Sequence, residues 1–183
     1  MSLIDDILAH NQQFVADKQY EPYRTTNTPD KKAVVLTCMD TRLVELLPAA
    51  MNLRQGDMKL LKNAGAIVSH PFGSIMRSLL VAVYSLGAAD VFVVGHLDCG
   101  MTGLSCTNLL HQAVDRGVDP ITIATLRNAG IDLDGWLRGF GHPKEGVVES
   151  VRMIRNHPLL PKDVRVHGML MDPATGKLQV VEV

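Results

Sequence analysis

At 183 residues, with 46% hydrophobic and 20% charged residues and a net charge of -1, the chain has the length and balance of one globular domain. No Lys/Arg block is present to neutralise phosphates, so neither nucleic acid nor an anionic membrane surface is expected as a partner. The most apolar stretch, 79–95, is interrupted by Gly87, Asp90 and Gly95 and reads as helix, turn and strand, since a membrane span needs about 20 predominantly apolar residues.

The N-terminus carries no basic region and no long apolar run, so no secretion signal is read and a cytoplasmic location is expected. Three cysteines, an odd number without such a signal, argue against a disulfide framework and suit ligands or catalytic groups.

Residues 3–17 read as an amphipathic helix, with Ser2 as N-cap, Asp5 and Asp6 in the first turn and apolar residues at helical spacing. With no strand before it, this helix must pack on the main body or on another subunit. Residues 18–30 read as a connecting loop. A first strand is expected over 32–37, a helix over 43–51 and a second strand over 58–61. The turn Lys62-Asn63-Ala64-Gly65-Ala66 offers backbone N–H groups to whatever lies at the strand end. A helix over 74–86, closed by Gly87, leads to a third strand over 91–94, which Gly95 should end. Helical pieces follow over 102–116, 121–128, 132–140 and 144–156. A fourth strand over 164–171 and a hairpin partner over 178–183 complete the chain.

Strands alternating with helices imply an α/β fold: a mostly parallel sheet flanked by helices, with an antiparallel edge strand at the C-terminus. Ligands bind such sheets outside the carboxyl ends of the strands, at a topological switch point. Two apolar runs end in chemistry-bearing residues. Ala33-Val34-Val35-Leu36-Thr37 runs into Cys38-Met39-Asp40-Thr41-Arg42, and Val91-Phe92-Val93-Val94 runs into Gly95-His96-Leu97-Asp98-Cys99-Gly100. If the first and third strands are neighbours, both ends build one site.

Cys38, His96 and Cys99 are three good zinc ligands, and three protein ligands leave the fourth position open, as in a catalytic site. Cys99 is expected to open a helix, whose N-terminus would favour its thiolate. Asp40 either takes the fourth zinc position or accepts a bidentate bond from Arg42; the second leaves room for water, whose proton Asp40 can then accept. Asp98 reads as a solvated turn residue rather than a support for His96. Cys106 reads as a small buried hydrophobe and the other histidines as surface or structural groups.

Cys38-Met39-Asp40-Thr41-Arg42, Lys62-Asn63-Ala64-Gly65 and Gly95-His96-Leu97-Asp98-Cys99-Gly100 together resemble the β-class carbonic anhydrases, in the manner of their small bacterial and archaeal branch. The resemblance implies a Rossmann-like sheet, with Zn2+, one per chain, on Cys38, His96 and Cys99 and a catalytic Asp–Arg dyad at Asp40 and Arg42. It implies reversible hydration of CO2 to bicarbonate and a proton by zinc-bound hydroxide. It also implies a homodimer or a dimer of dimers, in which residues 1–30 form an arm reaching a partner subunit and 31–183 form the α/β zinc-binding catalytic domain. Family members with the same ligands hydrolyse carbon disulfide or carbonyl sulfide. A non-catalytic zinc- or bicarbonate-binding protein on this fold is the alternative from another class.

Overall fold

Five strands form one sheet in the order β2-β1-β3-β4-β5. They are β1 (Ala33–Cys38), β2 (Met58–Asn63), β3 (Asp90–His96), β4 (Arg165–Met171) and β5 (Leu178–Val181). All pairings are parallel except β4 with β5, the expected antiparallel edge. The computed structural model describes residues 2–183; Met1, the first residue of the expected arm, lies outside them. Among the described residues no helix is long and apolar enough to cross a membrane.

β1 is buried at every position, which is why its sequence is apolar on both faces. Its one hydroxyl, on Thr37, donates to the Val94 carbonyl at 2.9 Å. On one face of the sheet, Met76 and Leu79 of α3 (Ser74–Leu86) and Val147, Val151 and Ile154 of α7 (Pro143–Arg155) pack with Val34, Leu36, Val91 and Val93. On the other, Leu43 and Leu47 of α2 (Leu43–Ala50) meet Val35, Val94 and Met171. Three shorter helices, Cys106–Asp115, Pro120–Asn128 and Leu133–Trp136 (α4 to α6), fill the connection before α7. The N-terminal helix α1 (Leu3–Ala16) carries the expected cap, with Ser2 and Asp5 closing a reciprocal capping box. It buries none of its residues, and Leu3, Ile4, Ile7 and Leu8 are 52–76% exposed.

Three sequence expectations fail. Gly95 does not end β3: the strand runs on to His96, paired with Met171 of β4. A Cβ at Gly95 would lie 2.7 Å from Val147 Cγ2, so this glycine lets α7 press onto the sheet rather than breaking the strand. The helix expected from Thr102 starts only at Cys106, capped by Ser105, whose Oγ accepts from the Asn108 N–H. Residues 99–104 form turns instead, with the Thr102 N–H bonded to the Cys99 carbonyl at 2.9 Å. The piece expected over 132–140 likewise shrinks to four residues. Remaining boundaries differ by one or two residues, the ordinary scatter of element ends.

Candidate metal centre

β1 and β3 are in-register parallel neighbours, so their carboxyl ends lie at one level. Cys38 is the last residue of β1 and His96 the last of β3; Cys99 follows in the turn. One ligand atom from each lies within 4.8 Å of the others, and all three residues are buried. The two sulfurs are 3.9 Å apart and both thiols are free. Among the described residues this is the group with metal-ligand geometry.

His96 Nδ1 lies 2.8 Å from the Leu97 carbonyl. A carbonyl only accepts, so Nδ1 carries the proton and Nε2 offers its lone pair. Nε2 is buried without any hydrogen-bond partner. An orphaned imidazole nitrogen between two thiols is costly as it stands and is satisfied by a cation. The S2N donor set fits zinc.

The two thiols differ. Burial pushes the Cys38 thiol up, but the His96 ring and the Gly65 and Asp40 N–H groups together bring it down to about 7. Burial raises Cys99 to about 11; the Met101 N–H opposes this and the neighbouring Cys38 sulfur adds to it. The sequence reading placed Cys99 at a helix N-terminus, and the structure removes that support, since the next helix begins seven residues on, at Cys106. Cys99 therefore needs a cation beside it to ionise near neutral pH. Burial draws the His96 imidazole down, but the Cys38 thiol, the Leu97 carbonyl and Asp40 outweigh it, leaving a net rise.

The turn after β2 serves Cys38 as expected: the Gly65 N–H donates to its Sγ at 3.3 Å. Gly65 has φ 81°, and a Cβ there would lie 3.0 Å from both Met101 Cγ and Phe140 Cε1, so only glycine presents its amide this way. Asn63 closes the turn with both ends of its amide: it donates to the Ile67 carbonyl at 2.6 Å and accepts from the Ile67 N–H at 3.1 Å. The sequence reading missed this role. Its signal was an Asn immediately before Ala-Gly-Ala.

Asp40 stands at the edge of the thiol–imidazole trio, with Oδ2 3.7 Å from His96 Nε2. Arg42 grips it with both arms, Nε to Oδ1 at 3.0 Å and Nη2 to Oδ2 at 2.8 Å, and adds its backbone N–H to Oδ1 at 2.9 Å. These bonds are the bidentate grip that the sequence offers as one of two postures for Asp40. The guanidinium holds the Asp40 carboxyl at about 2, with burial opposing. Asp98, read from the sequence as a solvated turn residue, binds Arg42 instead: Nη1 donates to Oδ2 at 2.8 Å and Nη2 to the Asp98 carbonyl at 2.9 Å. Cys106 stays apart, its thiol directed at the Leu133 carbonyl.

Residues 33–178 match the family model described as carbonic anhydrase. A relative from Bacillus subtilis (strain 168), named "Putative carbonic anhydrase YvdA", is 58% identical over 181 residues, covering 99% of this chain and 92% of its own. The crystal structure of a β-carbonic anhydrase, isoform I, from the protozoan Trichomonas vaginalis superposes with a TM-score of 0.90 at 34% identity, covering 99% of this chain and 98% of that one. A carbon disulfide hydrolase of Acidianus sp. (strain A1-3) is 29% identical over 178 residues, 88% of this chain and 85% of its own. With the family model spanning most of the chain and whole-length likeness in both sequence and fold, the chain belongs to the β-carbonic anhydrase family.

Proposed function

We propose that the chain is a zinc-dependent carbonic anhydrase that interconverts CO2 and water with bicarbonate and a proton, using one Zn2+ per chain on Cys38, His96 and Cys99. The observation that carries this reading is the buried, unpartnered Nε2 of His96 beside two free buried thiols, next to an arginine-held carboxylate. Bound zinc supplies Lewis acidity, which lowers the pKa of water enough to furnish a nucleophile at near-neutral pH. Two thiolates donate more charge than imidazoles, so that acidity is expected to be weaker than in a three-histidine site.

The protein's own groups do the rest. The Leu97 carbonyl fixes the His96 tautomer, leaving Nε2 as the ligand atom. The Gly65 N–H supports the Cys38 sulfur as a thiolate. Asp40, kept ionised by Arg42, accepts a hydrogen bond from the attacking water and so orients its lone pair toward the carbon of CO2. The proton released passes to buffer.

Two features support a homodimer as the smallest unit. Helix α1 buries nothing within its own chain, and a 14-residue helix is marginal in water without a surface to lie on. Among the described residues, α2 is the helix in the core cluster on the second face of a mostly parallel sheet, a face such sheets normally bury. Residues 1–30 are then an arm lying on a second copy, and 31–183 the catalytic domain. Free, closely spaced thiols at Cys38 and Cys99 suit a reducing, cytoplasmic compartment.

The likeness to a carbon disulfide hydrolase favours a second reading, hydrolysis of carbon disulfide or carbonyl sulfide at the same site. Stopped-flow CO2 hydration by zinc-loaded protein, from about pH 7 to pH 9, decides between them. A rate that rises with pH is expected. No rate above buffer at one zinc per chain, with H2S released from carbon disulfide, moves the assignment to the hydrolase. Neither product leaves a non-catalytic zinc- or bicarbonate-binding protein.

A further inference from the structure

Asp40 and Arg42 lie on one short loop after β1, separated by a single residue, and could swing together. What ties Arg42 elsewhere comes from the other strand. Asp98 lies in the turn after β3, 56 residues along the chain from Arg42, and meets it with two different acceptors. Its carboxylate takes Nη1 at 2.8 Å and its own carbonyl takes Nη2 at 2.9 Å. With Nε and Nη2 also on Asp40, each nitrogen of the guanidinium is engaged. The fork therefore bridges the ends of β1 and β3.

The backbone at Asp98 is set for this. Its φ is 52°, in the left-handed region that side chains other than glycine rarely occupy and that Asp and Asn tolerate best. In that conformation the carbonyl and the carboxylate of one residue both face Arg42. The Asp98 side chain is 83% exposed, so it packs against little else, and Arg42 is its bonded partner. An exposed arginine with one carboxylate partner keeps much of its rotamer freedom; a second anchor on another element removes it.

We infer that Asp98 is a positioning residue for the reaction proposed above: it locks the Arg42 guanidinium across the two strand ends, and so fixes the direction in which Asp40 presents its carboxylate to the thiol–imidazole trio. This inference rests on the carbonic anhydrase reading for its kinetic consequence, but not for the clamp itself.

Three variants separate the two halves of the grip. Asp98→Asn keeps an oxygen for Nη1 and tolerates the left-handed backbone. Asp98→Gly keeps the backbone and its carbonyl but removes the carboxylate, and Asp98→Ala removes the carboxylate and strains the turn. The primary measurement is hydrogen exchange at the Arg42 Nε–H, followed by NMR in metal-free protein. Exchange is expected to be slow in wild type and Asp98→Asn and faster by about tenfold or more in Asp98→Gly and Asp98→Ala. In zinc-loaded protein, kcat for CO2 is expected to fall about ten- to a hundredfold in Asp98→Gly and Asp98→Ala, with KM and zinc content unchanged and with Asp98→Asn close to wild type.

Wild-type Nε–H exchange and kcat in Asp98→Gly overturn the inference, because the carboxylate then holds nothing. Loss of zinc from all three variants also overturns it, by making Asp98 a support of the ligand turn instead. A wild-type protein inactive on CO2, with Arg42 nonetheless released in Asp98→Gly, sinks the carbonic anhydrase reading and leaves the clamp standing.

Discussion

The two ends of the sheet carry nearly the same residues and do different things with them. At the carboxyl ends, Asp40, Arg42 and Asp98 surround His96 and two cysteines. At the amino ends, Asp90 opens β3 and accepts from Arg165, while His167 Nε2 lies 3.1 Å from Asp90 Oδ1. Both clusters hold an aspartate, an arginine and a histidine. In the lower one every charge finds a partner and the histidine ring stacks on Phe92, with centroids 4.9 Å apart. In the upper one His96 Nε2 has no partner and sits beside two buried thiols. The ion pair therefore does not mark the site. The marks are an unmet lone pair and soft donors within reach of it, a set that suits a cation.

The sharpest way to break this contrast is to make the upper cluster as self-satisfied as the lower. Cys38→Ser removes a sulfur from the trio and leaves the Asp40–Arg42–Asp98 bonds intact. Zinc affinity is expected to fall by more than about a hundredfold and CO2 hydration with it, read by metal analysis and stopped flow on the same samples. Retained zinc would show that the trio is not the metal site. Asp40→Ala acts on the other half: zinc stays at one per chain while kcat drops by about a hundredfold. Full activity in that variant would reduce the upper ion pair to the same structural role as the lower one. A next, smaller effect lies in assembly. Ile7→Asp with Leu8→Asp, on the exposed face of α1, is expected to shift sedimentation from two chains to one while each chain stays folded by circular dichroism. An unchanged dimer would remove the arm from the interface.

How far the sequence could be read follows from what each residue answers to. The strands of the core were legible because burial on both faces demands continuous apolar runs such as Val34–Leu36 and Val91–Val94. The trio was legible because its members end those runs. Gly95 misled: a glycine after an apolar run reads as a stop, but this one makes room for Val147, which lies 52 residues away. Cys99 misled in the same way, since whether a helix follows depends on the turns through Gly103 and their bond to Phe140. Asp98 is not legible because nothing local asks for it, its partner lying on the loop after β1. Local patterns report what the backbone must do nearby, and roles set by contacts between distant segments are not written in spacing.

The lower cluster supplies the last and smallest test, one that the upper site should not feel. Arg165 holds the Asp90 carboxyl below its ordinary value; burial opposes this and His167 assists. An aspartate depressed in the folded state contributes stability at pH values above its unfolded pKa, and that contribution is lost as the pH falls through the folded value. Asp90→Asn is therefore expected to lower Tm by about 2–4 °C at pH 7, the scale of a partly exposed ion pair in a chain of this length. The gap between wild type and variant should hold down to about pH 4, the unfolded aspartate value, and close below it. CO2 hydration and zinc content should not change, because Asp90 and the trio stand at opposite ends of the strands. A gap that widens on acidification would mean that Asp90 is not ionised in the folded protein. A fall in hydration would mean that the two ends are coupled through β3.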